Sequence, residues 1–268
     1  MPSFIELNGT TYAYDISGKG EPFVLLHGFT GSKQSWTTIK AYLEENYQVL
    51  TIDLPGHGQT KTERIVLMDE FVDDLHELTR KLNIDSFHLL GYSLGGRSAL
   101  SYAMKYGHTL RSLILESASP GLKTEKERNE RVKQDEALIE MMQTKGLEQF
   151  VSYWENIPLF QSQKRLPEQI KQKIRSERLS NTVEGLVISL KGMGTGAQTP
   201  WWDRLHELDM PVLLIVGSLD DKYVSINKEM NRLIKSSKLE VVKGAGHNVH
   251  LEQAEKFVTI IKEHVQNR

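Results

Sequence analysis

The segment Gly91-Tyr92-Ser93-Leu94-Gly95-Gly96-Arg97 constrains the fold more than any other stretch of this chain. It joins an apolar run, 87–90, which predicts a β-strand, to a run of helix formers, 98–104. Glycines on both sides of a serine let the backbone turn back tightly and hold the serine in a strained turn at the tip of the strand. The pattern predicts a nucleophilic Ser93, but a Gly-rich turn is weak evidence alone, so the rest of the chain must supply partners.

Composition sets the broad class of the protein. With 268 residues, of which 39% are hydrophobic and 25% charged, the chain predicts one globular core with an insertion. A formal net charge of −2 gives no electrostatic basis for binding nucleic acid or an anionic membrane. The first residues carry no basic run followed by a long apolar stretch, so we expect a cytoplasmic enzyme without a membrane anchor or an obligate protein partner.

Strand signals alternate with helical ones along most of the chain. Asn8-Gly9 favours a tight hairpin between the first two strands. The eight predicted strands are 3–7, 10–16, 22–26, 47–53, 87–90, 111–116, 210–216 and 238–242. Helical patterns lie between or after them at 39–43, 68–82, 98–104 and 254–265. The alternation predicts an α/β fold with a mostly parallel eight-stranded sheet and helices on both faces.

The strand signal disappears between residues 121 and 200. Helical patterns replace it at 124–144, 147–154, 167–179 and 183–190. Helices inserted between two sheet strands predict a lid over the carboxyl edge of the sheet, where open α/β folds bind ligands. We therefore expect a core formed by 1–120 and 201–268, with a helical cap over 121–200.

A serine becomes a nucleophile or a base only when a histidine takes its proton and a carboxylate orients that histidine. Asp220 follows one predicted strand and His247 follows the last one, so both are expected at the edge that carries Ser93. Asp221 is the alternative acid. The other histidines near this edge, whose roles stay open, are His27, His57 and His250.

Two further loops follow predicted strands, His27-Gly28-Phe29-Thr30-Gly31 and Asp53-Leu54-Pro55-Gly56-His57-Gly58. Together with the elbow and a Ser, Asp, His order, they make the whole chain resemble the α/β-hydrolase superfamily. That resemblance implies an oxyanion hole formed by the backbone N–H groups of Phe29 and Leu94.

Several stretches resemble one branch more specifically, the 2-succinyl-6-hydroxy-2,4-cyclohexadiene-1-carboxylate synthase family of bacterial menaquinone biosynthesis. They are the elbow ending in Arg97, 116–122, 127–131, Tyr153-Trp154, 178–181 and 244–250. The loop 217–223 agrees more loosely, apart from its acid and Lys222. The resemblance implies a lyase that eliminates pyruvate from 2-succinyl-5-enolpyruvyl-6-hydroxy-3-cyclohexene-1-carboxylate, a small tricarboxylate.

Such a substrate requires several cations around one cavity, and arginine binds carboxylates bidentately while staying charged. The resemblance assigns this role to Arg97, Arg131 and Arg178. It also implies that Tyr92 and Trp154 line the pocket. For Arg128, one turn before Arg131, we expect only an exposed helix charge.

Two alternatives use the same fold. A serine hydrolase of esters or carbon–carbon bonds would need the same triad, whereas a ligand-binding receptor would need only the pocket. The chain contains no cysteine and shows no metal-ligand cluster in its sequence, so we expect no metal site and no cofactor, with the triad supplying the acid–base groups.

Overall fold

A computed structural model describes residues 2–266 and centres on one twisted sheet. The strands are β1 (Ser3–Leu7), β2 (Thr10–Ser17), β3 (Glu21–Leu26), β4 (Tyr47–Ile52), β5 (Lys61–Thr62), β6 (Phe87–Tyr92), β7 (Leu110–Glu116), β8 (Val212–Gly217) and β9 (Ser237–Val242). Their spatial order is β1-β2-β4-β3-β6-β7-β8-β9. The pairs from β4 to β9 are parallel, while β1 and β2 are antiparallel. The predicted α/β fold is confirmed, and the eight predicted strands gain a ninth, because the two-residue β5 pairs with β2.

The helices cover both faces of this sheet. They are α1 (Thr37–Leu43), α2 (Met68–Lys81), α3 (Leu94–Tyr106), α4 (Glu125–Trp154), α5 (Glu168–Leu179), α6 (Val183–Met193), α7 (Asp221–Leu233), α8 (Val249–Glu252) and α9 (Ala254–Gln266). The expected helix at 98–104 begins four residues earlier, directly after Ser93, and α7 was not predicted. Among residues 2–266, no helix combines the length and apolar character needed to cross a membrane.

Alternation along the strands builds a core on each side of the sheet. In β3, Val24 and Leu26 join a cluster with α2 and α3, whereas Phe23 and Leu25 join a second cluster with α1 and α9. All six residues of β6 are buried. The strand that ends at Ser93 is therefore held from both faces, which fixes the position of the serine.

The segment between β7 and β8 forms the helices α4, α5 and α6. A capping box of Thr124 and Glu127 begins α4. Gly146, with φ of 79°, interrupts α4 close to the predicted break between 144 and 147. Glycines also bring α6 against the core, since a Cβ on Gly185 would overlap the carbonyl oxygen of Gly56, and one on Gly192 that of Val66. Only glycine permits such close backbone approach.

Candidate active site

The elbow holds Ser93 in a backbone conformation that few residues adopt. Its φ is 51° and its ψ is −107°, between the end of β6 and the start of α3. A Cβ on Gly91 would overlap the carbonyl oxygen of Gly95, and a Cβ on Gly95 would overlap that of Leu26. The Ser93 N–H donates to the carbonyl oxygen of Glu116 at 2.9 Å. The glycines thus allow a tight turn that β7 holds in place.

The three predicted triad residues lie in one hydrogen-bonded row. Nδ1 of His247 is 2.6 Å from Oδ2 of Asp220, and Nε2 of His247 is 3.1 Å from Oγ of Ser93. Asp220 is the N-cap of α7 and accepts from the Tyr223 N–H at 3.3 Å. Asp221, the alternative acid, is an exposed residue of α7. This geometry suits a serine oxygen that gives its proton to His247, and the catalytic roles stay predictions.

The loop that carries His247 is anchored by two buried or half-buried carboxylates. Glu116, at the end of β7, accepts from the N–H of His250 at 2.9 Å and pairs with its Nδ1 at 2.6 Å. Glu252 accepts from the Gly246 N–H at 2.9 Å. Burial raises the pKa of Glu252. Glu116 therefore contacts both the serine turn and the histidine loop, a link between distant segments that no local sequence pattern encodes.

His27 and His57 are buried structural residues beneath the site. Nε2 of His27 accepts from the Leu54 N–H at 3.0 Å, and Nε2 of His57 accepts from the Thr30 N–H at 3.2 Å. Burial lowers the pKa of His27 to about 4 and that of His57 to about 3. Both imidazoles are therefore neutral, and they tie the loop after β3 to the loop after β4.

The two predicted oxyanion donors border the cavity that contains Ser93. Phe29 lies in the loop after β3, and Leu94 is the first residue of α3; both border the same cavity as Ser93. Within residues 2–266, neither backbone N–H donates to another protein group. Free amides beside the serine are the arrangement that stabilises a developing oxyanion, although this role remains a prediction.

The cavity above Ser93 has a volume of about 560 Å³. Four residues predicted to bind substrate border it: Tyr92, Arg97, Arg131 and Trp154. Lys222 and Tyr223 also border it and were not predicted. The ring of Tyr223 lies 4.6 Å from that of His247. The sequence signal for Lys222 and Tyr223 was their position just after Asp220.

Arg97 is a buried cation without a carboxylate partner. Its side chain is 8% exposed, and its Nη1 donates to the carbonyl oxygen of Met193 at 2.9 Å and to Oε1 of Gln198 at 3.1 Å. Among residues 2–266, no acidic group forms an ion pair with it. Burial lowers its pKa to about 10. Asp135 acts on Arg97 electrostatically and raises its pKa, but no carboxylate among the described residues lies within ion-pair distance, so we expect this buried charge to favour an anion in the cavity.

Arg131 reaches the same cavity from α4. Its Nε donates to Oδ1 of Asp135 at 2.8 Å, which fixes the guanidinium through a single nitrogen. Burial raises the pKa of Asp135. Arg128, one turn earlier, donates to the carbonyl oxygens of Leu122 and Lys123. Arg128 is therefore half-buried and holds the start of α4, rather than being only the exposed helix charge that the sequence suggested.

Arg178 lies outside the Ser93 cavity. It borders an adjacent cavity of about 270 Å³, which shares Phe29, Tyr92 and Phe160 with the first. Its guanidinium lies 4.9 Å from the Phe160 ring, 3.4 Å from Oε1 of Gln163 and 3.9 Å from Glu155. Arg178 therefore borders a neighbouring part of the site, with Phe29, Tyr92 and Phe160 common to both cavities, which spacing in the sequence did not indicate.

Comparison with known proteins agrees with this fold and site. A family model described as the alpha/beta hydrolase fold matches residues 21–254. A Bacillus subtilis (strain 168) protein whose name assigns it provisionally as 2-succinyl-6-hydroxy-2,4-cyclohexadiene-1-carboxylate synthase is 46% identical over 96% of this chain and 95% of its own. An Enterobacter sp. (strain 638) protein with that name is 34% identical, over 92% and 91%.

Two solved structures show the same fold. The structure of MenH from S. aureus has a TM-score of 0.91 and 37% identity, covering 95% of this chain and 99% of that one. A thermophilic esterase from Thermogutta terrifontis has a TM-score of 0.85 and 27% identity, covering 98% and 97%. The mostly parallel sheet, the elbow and the hydrogen-bonded row of Ser93, His247 and Asp220 define a protein of the α/β-hydrolase class. Within that class, the chain belongs to the 2-succinyl-6-hydroxy-2,4-cyclohexadiene-1-carboxylate synthase family.

Proposed function

We propose that this protein is a carbon–oxygen lyase of menaquinone biosynthesis. It eliminates pyruvate from 2-succinyl-5-enolpyruvyl-6-hydroxy-3-cyclohexene-1-carboxylate and forms 2-succinyl-6-hydroxy-2,4-cyclohexadiene-1-carboxylate. The observation that carries this proposal is the buried Arg97, which has no acidic partner within residues 2–266 and borders the Ser93 cavity with Arg131. A polyanionic substrate supplies the missing negative charge, whereas a neutral ester would leave it unpaired.

The reaction begins with loss of a proton from the ring carbon next to the succinyl carbonyl. His247 draws the proton from Ser93, whose oxygen then acts as the base, and Asp220 orients the imidazole. The carbonyl oxygen gains negative charge opposite the N–H groups of Phe29 and Leu94. The ring double bonds then shift, the bond from ring carbon to enolpyruvyl oxygen breaks, and the released enolate becomes pyruvate when it gains the proton held by His247.

The lid 121–200, by this proposal, closes the cavity and supplies Arg131 and Trp154, while Arg178 contributes from the adjacent cavity. No cofactor takes part in the proposed reaction. A cytoplasmic location and the lack of an obligate protein partner remain predictions from composition.

Pyruvate release from the enolpyruvyl intermediate is the direct test. Purified protein and the Ser93→Ala variant are incubated with that compound, and pyruvate is measured enzymatically. We expect rapid release with the natural protein and severe loss with the variant. If no pyruvate appeared, but simple esters were hydrolysed through Ser93, the serine hydrolase alternative would replace this proposal.

A further inference from the structure

The hydrogen-bond partners of Arg97 are electrically neutral, and Asp135, which acts on Arg97 electrostatically, is already paired with Arg131. Both contacts of its Nη1 go to oxygens without net charge, the main-chain oxygen of Met193 and the amide oxygen of Gln198. Two arginines of the segment 121–200 pair with acids: Arg131 with Asp135 and Arg175 with Glu155. Arg97 is more buried than either, yet it lacks such a partner among the described residues.

The contact between Gln198 and Arg97 leaves a buried donor of the Gln198 amide without a hydrogen-bond partner among the described residues. Gln198 is 1% exposed, and its Nε2 has no hydrogen-bond partner within residues 2–266. A guanidinium has only donors, so it requires the amide oxygen, and the amide N–H groups must then point elsewhere. A buried donor without a partner destabilises the fold. Glutamate, with nearly the same shape, would remove that cost and neutralise Arg97.

We infer that Gln198 is a positioning residue that holds Arg97 in the Ser93 cavity without pairing it directly with a carboxylate, so that a substrate carboxylate can bind the guanidinium. This inference rests on the proposed function for the identity of the substrate. The neutral side chain beside this buried cation matters because an acid at that position would compete with the substrate for the same guanidinium.

The variant Gln198→Glu tests the inference, because the inference predicts that this change raises thermal stability but weakens substrate binding. The variant is expected to have a higher melting temperature, because the buried charge gains a partner. Its KM for the enolpyruvyl substrate is expected to rise about tenfold or more, the amount that a charged hydrogen bond supplies, with a smaller change in kcat. A merely structural glutamine would not give this split.

Succinate provides a binding test that does not depend on turnover. A dicarboxylate that binds Arg97 raises the melting temperature of the natural protein by mass action. Gln198→Glu is expected to lose most of this rise. Gln198→Met, which lacks the acceptor but adds no charge, is expected to lose only part of this rise, because Arg97 is held less firmly but keeps its positive charge free.

Gln59→Glu is the matched control. Gln59 accepts from Lys33, which already contacts Asp53, so a new carboxylate there is expected to leave KM unchanged. A Gln198→Glu variant with KM within twofold of the natural value, or equal loss of succinate stabilisation in Gln198→Met, would overturn the inference. If the natural protein released no pyruvate, the proposed function would fail, while the succinate comparison would still decide the role of Gln198.

Discussion

Nε2 of His247 lies 3.1 Å from Oγ of Ser93, with no other protein group between them. This contact serves either a base that removes a substrate proton or a nucleophile that forms an ester. We expect Ser93→Ala, His247→Ala and Asp220→Asn each to lower kcat for pyruvate release by about 10²-fold or more, the usual contribution of a positioned base.

Mass spectrometry distinguishes the two roles of Ser93. Natural enzyme quenched during turnover is expected to carry no adduct on the elbow peptide, because the serine oxygen only carries a proton. A substrate-derived ester on Ser93 that forms and decays at the turnover rate would contradict the base mechanism.

The lid arginines are expected to bind substrate carboxylates. Arg131→Ala and Arg178→Ala should each lower kcat/KM about tenfold or more, since a charge-assisted hydrogen bond contributes about 1.5–3 kcal/mol. Arg128→Ala is the control on the same helix as Arg131 and should leave kcat/KM unchanged. Melting temperatures measured in parallel would expose a purely structural role, which for Arg178 would appear as unfolding with normal activity in the surviving protein.

Acid should destabilise the fold through the two buried imidazoles. Burial lowers the pKa of His27 to about 4 and of His57 to about 3, from an ordinary value of 6.5. Between pH 6.5 and these lowered pKa values, the unfolded chain binds more protons than the folded one. The free energy of unfolding therefore falls as pH is lowered from about 6.5 towards 4 and 3. Urea titrations across this range should show a shallower pH slope for His57→Asn, whereas the exposed His206→Asn should keep the natural slope.

Metal chelation should leave activity intact. Among residues 2–266, no group of three His, Asp or Glu side chains is arranged to hold a metal ion, and the proposed triad supplies the acid–base chemistry. Dialysis against EDTA, followed by the pyruvate assay, is expected to give unchanged kcat. Loss of activity that one particular metal restored would contradict this prediction.

The fold was largely predictable because local patterns encode it. Asn8 and Gly9 both have positive φ, 48° and 77°, as a hairpin with this dipeptide requires. The apolar strands and the glycine elbow likewise follow from short segments. β5 escaped prediction because two residues carry no periodic signal. α7 was not predicted, although Tyr223, Ile226 and Met230 are apolar residues at helical spacing, because charged and polar residues separate them.

The site was predictable only where a motif marks the residue. Ser93, Asp220 and His247 each follow a strand, so topology brings them together. The placement of Arg178 and Arg97 in different cavities follows from the packing of Phe29, Tyr92 and Phe160, which border both cavities, and no local motif predicts that packing. Gln198 illustrates the same limit, because its contact with Arg97 spans about a hundred residues.

The glycine contacts between α6 and the core limit which glycines of this protein can be replaced by alanine. Replacing glycine by alanine commonly stabilises a protein by about 0.4–1 kcal/mol through the unfolded chain. At Gly185 and Gly192, the added methyl group would instead meet the carbonyl oxygens of Gly56 and Val66 and push the helix away from the loops below it. Glycine-to-alanine changes meant to raise thermostability must therefore avoid these two positions, because a displaced α6 would move residues that border the Ser93 cavity.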